Sequence, residues 1–153
     1  MTKVEAIVVI AIAVLVLGID TGAILYWKTR NADVATLSEV ARIQSALEVF
    51  LSRNNYYPRT SGIVPLNDSV AYTDKLCVEG WKRVDAQCTT EILSPIPNRG
   101  YTKGNRYYYQ SQQDGAAYAL EFTIGTNFKK FGYTKGILCA TPDAITNQPC
   151  FTR

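Results

Sequence analysis

A chain of 153 residues with a net charge of +3 and no histidine is long enough for one domain or a domain with an appendage, and it lacks the side chain most used for acid–base work and a principal ligand for zinc. So small a positive balance also argues against a dedicated nucleic-acid surface. The apolar share, 47%, is ordinary but unevenly spread, and no Gly-rich phosphate loop or nucleophile motif appears, so the chain reads as a non-enzyme without cofactors.

From Ala6 to Trp27 the only charged residue is Asp20. As a helix, this run of about 22 residues would be roughly 33 Å long, enough to cross a hydrocarbon core, so a transmembrane or signal-like segment is expected. Lys3 and Thr21-Gly22-Ala23 make a weak secretory signal; Glu5 in the leading segment and Tyr26-Trp27 at an interfacial position favour a retained helix. Lys3 before the run and Lys28 and Arg30 after it leave the topology open.

Glu5 stands alone at the head of this apolar run and has two readings. A carboxylate in a membrane segment costs on the order of 2.5–3.5 kcal/mol at a helix centre, which suits a residue that sets subunit registry in a filament. Alternatively, Thr2-Lys3-Val4-Glu5 fits a capping box, and an acid suits the positive helix N-terminus. Gly18 and Gly22 flank Asp20 and also divide two ways. They weaken the helix by about 1 kcal/mol each relative to alanine, or they let helices pack closely while Asp20 lies near the headgroups.

The helical pattern continues. Val34, Leu37, Val40/Ala41, Ile43, Leu47 and Phe50/Leu51 recur at three- and four-residue steps, with Asp33, Glu39, Arg42, Glu48 and Arg53 mostly off that stripe. A single helix to about Arg53 would be roughly 80 Å long, stopped by Asn54-Asn55 and Pro58. The division expected is 1–27 as the membrane or filament-core half of the helix, 28–55 as its amphipathic half, and 56–153 as an extracytoplasmic β-domain.

Residues 60–101 are loop-rich, with no regular structure assigned. Arg106 to Gln110, a turn through Asp114-Gly115, and Ala117 to Ile124 read as a hairpin whose Tyr118, Leu120, Phe122 and Ile124 share one face. That face suits packing on the helix stripe. Phe128 to Leu138 adds a third strand, weakened by Gly132 and Gly136.

All four cysteines, Cys77, Cys88, Cys139 and Cys150, lie in the C-terminal half, and an even count without histidine points to disulfides and an oxidising, extracytoplasmic space. Cys77 and Cys88 stand as far apart in sequence as Cys139 and Cys150, which makes two sequential loops the pairing of choice. Each loop is worth about 2–4 kcal/mol.

Several features resemble one family. Met1-Thr2 and Glu5 open an apolar helix; Ala41-Arg42-Ile43-Gln44-Ser45-Ala46-Leu47-Glu48 leads to Tyr56-Tyr57-Pro58; and Ile92-Leu93-Ser94-Pro95-Ile96-Pro97 precedes Tyr107-Tyr108-Tyr109. The chain resembles a type IV pilin or the major pseudopilin of type II secretion, closely over residues 1–58 and loosely over 92–124. The resemblance implies an α+β fold, in which a long N-terminal helix packs on a small antiparallel sheet. It also implies a leader removed by a prepilin peptidase, so that Met1 is the mature, N-methylated first residue. The subunit would be held in the cytoplasmic membrane and then drawn by an ATP-driven assembly machine into a homopolymeric cell-surface filament.

Assembly would pair Glu5 with the Met1 amine of a neighbour, and Gly18 and Gly22 would let the helix partly unwind. Lys3 and Gly22 depart from the family pattern, which favours an apolar residue and a proline there. Some pseudopilins bind calcium, but Asn98-Arg99-Gly100 replaces the acidic residues required, so no metal is expected. The alternatives are a secretion pseudopilus and a membrane-anchored binding domain in which Glu5 is only a cap. Lys129-Lys130 and Lys135, with Phe131 and Tyr133, form a basic-aromatic patch of the kind that binds nucleic acid. Asn67-Asp68-Ser69 is a glycosylation sequon and marks a surface loop.

Overall fold

One helix dominates the chain. A computed structural model describes residues 3–97 and 106–152, with side chains defined from Tyr26 onward. Helix α1 runs unbroken from Lys3 to Asn54, 52 residues, or about 78 Å at the usual rise. It ends where the sequence stops favouring it. Asn55 turns into the left-handed region at φ 63° while its N–H still reaches Leu51 O at 2.7 Å, and asparagine tolerates that conformation better than most residues. The Asn54 amide donates to Phe50 O and Val78 O, tying the helix end to the loop beyond it.

The five-stranded antiparallel sheet has the order β1 (Val64–Pro65), β5 (Tyr108–Gln112), β6 (Ala117–Ile124), β7 (Gly136–Ala140) and β8 (Ile145–Thr146). Tyr109 pairs with Leu120, and Leu120 with Ala140. Tyr118, Leu120, Phe122 and Ile124 of β6 are buried in one cluster with Val40, Ile43, Leu47 and Phe50 of α1. The molecule is thus α+β, a long helix laid across antiparallel sheet.

Three sequence expectations are corrected. The loop-rich stretch holds a second antiparallel sheet, β3 (Gly80–Lys82), β2 (Lys75–Cys77) and β4 (Glu91–Leu93). Its strands are three residues each, too short for an alternating pattern to register. The third strand of the main sheet is Gly136–Ala140, later than expected, because Lys129–Phe131 form a turn of 3-10 helix closed by Gly132 at φ 73°. Asp33 and Glu39 are buried on the sheet-facing side of α1, whereas Val34 and Ala41 are exposed. The stripe is polar at its upper end because hydrogen-bond partners on the sheet side await it there.

Both faces of β6 are covered. On the side away from α1, Ala119, Cys139 and Phe151 form a small cluster, with Tyr108 and Cys150 packed against it. Cys139–Cys150 is a disulfide, as is Cys77–Cys88, and neither leaves a free thiol. Glu121, buried beneath the C-terminal segment, accepts from the backbone N–H of Cys150 at 3.1 Å and Phe151 at 3.4 Å. Among the described residues no helix is long and apolar enough to cross a membrane. The expected span, 6–27, falls almost wholly on positions whose side chains lie outside the described ones.

Candidate functional site

The domain meets the helix in its middle through a carboxylate clasp. Asp33 Oδ1 accepts from Gly125 N at 2.8 Å, and Oδ2 accepts from the Thr126 hydroxyl at 2.6 Å. Six residues on, Glu39 Oε2 accepts from the Tyr107 hydroxyl at 2.7 Å. Burying a carboxylate is costly unless it is hydrogen-bonded, and each of these oxygens is matched to a donor. Gly125 permits the approach: a Cβ there would stand 2.7 Å from the γ-methyl of Thr29.

Above the clasp lies a basic groove of about 740 Å³ between α1 and the 3-10 turn, with Tyr26 and Arg30 on one wall and Lys129, Lys130, Phe131 and Lys135 on the other. The Arg30 guanidinium donates to the Tyr26 hydroxyl at 3.0 Å and sits 5.5 Å over the Phe128 ring. Phe131 stacks on Tyr133 with ring centroids 5.9 Å apart and remains 58% exposed. Asn127 Oδ1 accepts from Lys135 N at 2.6 Å, which closes the loop that carries these cations. The basic-aromatic patch seen in the sequence is therefore one surface, and the structure adds Tyr26 and Arg30 to it from a distant part of the chain.

Deeper in the domain an aromatic array fixes the sheet on the helix. Tyr57 meets Tyr118 edge-to-face at 4.8 Å, Tyr118 stacks on Tyr109, and Trp81 meets Tyr109 edge-to-face at 5.2 Å. Their hydroxyls are occupied: Tyr57 donates to Glu48 Oε1, Tyr109 to Pro58 O, and Tyr118 accepts from the Gln44 amide. Burial pushes all three phenols above their ordinary range, and for Tyr57 the hydrogen bond to Glu48 adds to the rise. Tyr107 and Tyr109 are core residues, and the half-buried Tyr108 packs on the C-terminal cluster, so this triplet presents no free aromatic row.

Met1 lies outside the described residues; Glu5, Gly18 and Gly22 are in α1, with side chains outside the described ones, and the helix passes through both glycines without a break. Asn98-Arg99-Gly100 also lies outside them. Cys77, Glu79 and Cys88 place ligand-type atoms within 4.8 Å of one another, but both sulfurs are bound in a disulfide and carry no thiolate for a metal. In the sequon, Asn67 is half-buried in a tight turn at φ 54°. Asp68 Oδ1 accepts from Ala71 N and Val70 N, and Oδ2 takes a 2.7 Å bond from Arg106. These bonds, the Ala71 N–H foremost, hold its carboxyl below the usual range.

The sequence signals could not have found the clasp, because acids at Asp33 and Glu39 read as solvent-facing until their donors, some 68 to 93 residues away, are brought to them. No protein-family model matches this chain, and no curated protein or solved structure shows significant similarity to it.

Proposed function

We propose that this chain is the structural subunit of a helical filament of the type IV pilin kind. The observation that carries the reading is the length of α1 together with the apolar sequence of its first half. The helix is 52 residues long, and among its described side chains, which start at Tyr26, the contacts that join it to the sheets and loops run from Thr29 to Asn54. The preceding stretch is apolar in sequence from Ala6 to Leu25 apart from Asp20, and it needs cover from lipid or from identical helices. A subunit stored in the cytoplasmic membrane and then bundled with its copies has both covers in turn.

In the bundle Glu5 pairs with the Met1 amine of a neighbouring subunit. Leaving one charge of such a buried pair uncompensated typically costs about 3–5 kcal/mol, which makes correct axial register the only comfortable one. Gly18 and Gly22 supply weak points at which the helix adjusts as subunits stagger. A prepilin peptidase and an ATP-driven assembly machine are the partners this life requires. The domain, with its two disulfides, faces the oxidising exterior.

The test is electron microscopy of material sheared from cells that make the protein, with helical reconstruction and mass analysis of the first residue. Filaments built from this chain with a methylated Met1 near a neighbour's Glu5 are expected, and Glu5→Ala should leave a folded protein that does not assemble. Normal filaments from Glu5→Ala would sink the registry mechanism. Protein retained in the membrane without filaments would return a secretion pseudopilin or an anchored binding domain.

A further inference from the structure

We infer that the groove between α1 and the 3-10 turn is a docking site for the anionic phospholipid headgroups of the bilayer that holds the subunit before assembly. This inference rests on the membrane-held stage proposed above. Four cations, Arg30, Lys129, Lys130 and Lys135, line the groove, and among the described residues none of them has an ion-pair partner. No carboxylate is among the groove's described lining residues. The surface is therefore complementary to negative charge, and it is flanked by exposed amphipathic aromatics, Tyr26 at 52% and Trp27 at 63%.

Position selects the ligand. Tyr26 and Arg30 follow Leu25 by one and five residues, so along a helix they stand about 1.5–7.5 Å past the apolar run. Headgroup layers occupy roughly 5–8 Å on each side of the hydrocarbon, which is the same depth. The opposite wall is held at this level by the clasp, since Asp33 anchors Gly125 and Thr126 at the start of the loop that carries the three lysines. Phe131, exposed at the tip of that loop, is placed to enter the interface while Lys129 and Lys130 meet phosphates. A basic side chain near an anionic surface strengthens attachment about fivefold, or roughly 1 kcal/mol. A nucleic acid bound here would have to lie against the bilayer, and four cations make a short track for it. Docked to lipid, the domain is held at a defined height and orientation on its helix.

The full chain is placed at one copy per nanodisc, in phosphatidylcholine alone or with phosphatidylglycerol, and amide hydrogen exchange is followed over 127–135. Protection is expected to rise at least about threefold with the anionic lipid, and to fade when salt is raised from about 50 to 500 mM. The variant K129Q/K130Q/K135Q should lose that protection with its near-ultraviolet tyrosine signal intact; if it does not fold, the salt dependence of the unaltered chain decides. Equal protection in phosphatidylcholine alone would overturn the inference. So would protection seen only with two copies per disc, which would assign the groove to a second subunit, or only on adding a DNA duplex, which would assign it to nucleic acid. Retention of the chain in vesicles after carbonate washing separates the two levels. A chain that stays in the bilayer without protection over 127–135 removes the headgroup site alone, and a chain that washes out removes the membrane-held stage with it.

Discussion

Asp33 and Glu39 show how a single polar side chain can fix a helix on a sheet. Each carboxylate is buried and bonded to donors from the sheet side, and a hydrogen bond to a charged group contributes about 1.5–3 kcal/mol net. Asp33→Ala should therefore lower the unfolding free energy by about 2–4 kcal/mol, read by thermal denaturation of the full chain. Asp33→Asn should fall between, because only one of its two side-chain atoms accepts while both partners donate. Equal stability for all three chains would show that the clasp does not hold the loop. Tyr57, Tyr109 and Tyr118 give the residue scale a pH signature. Their folded-state pKa values are raised, so the native state keeps protons that the unfolded chain releases. That contribution is complete below about pH 10, the ordinary phenol value, and is lost as pH climbs above it. Tyrosinate absorbance should then appear for these residues only together with loss of near-ultraviolet dichroism. Asp68 has the opposite sign: its depressed pKa adds stability at neutral pH that fades as pH drops below about 4.

At the scale of elements, β6 is the spine of the domain because both its faces are buried and both its edges paired. Its outer face depends on a segment that is not a strand of its own. The Cys139–Cys150 disulfide and Glu121 bring Phe151 over Ala119, closing a cluster that β6 and β7 alone leave open. Replacing Cys139 and Cys150 together by serine should cost about 2–4 kcal/mol and raise hydrogen exchange in the C-terminal segment before it does so in β5. Gly125 matters at the same scale. The loop from β6 crosses α1 so closely that a methyl at Gly125 collides with Thr29, whose β-branched side chain has few rotamers in a helix. Gly125→Ala should cost about 1–3 kcal/mol and loosen the clasp, and a variant as stable as the parent would mean that the crossing is not tight.

For the whole molecule, among the described side chains of α1, which start at Tyr26, the first buried one is Asp33, and the core cluster joins Val40 to Phe50 with the sheets. The described contacts of the domain with α1 thus lie in the second half of the helix. On the proposed division of the helix, removal of residues 1–25 should leave a domain whose melting temperature lies within a few degrees of the parent's, a change of less than about 1 kcal/mol. A large loss of stability would show that the apolar half supports the domain directly. In the proposed filament one half of this continuous helix would exchange lipid for copies of itself while the other half holds a covalently stapled domain.

The sequence by itself determined the long helix, its end at Asn54-Asn55 and strand β6 residue for residue, and it favoured, among three possible connectivities, the cysteine pairing in neighbouring loops that the structure forms. These follow from local causes: apolar spacing, a chain-stopping Asn-Asn before Pro58, an alternating run and matched intervals. Only the tertiary structure decided which acids of the helix are buried, that the middle of the chain holds a second sheet, and that Arg30 shares a groove with Lys135. A carboxylate is read as solvated unless its donors are known, and those of Asp33 and Glu39 come from residues 68 to 93 positions away. Strands of three residues are too short to leave a period, and they form because the helix flank and the five-stranded sheet present surfaces to cover. Long-range hydrogen bonds and packing are properties of the folded chain, and no window of sequence contains both partners.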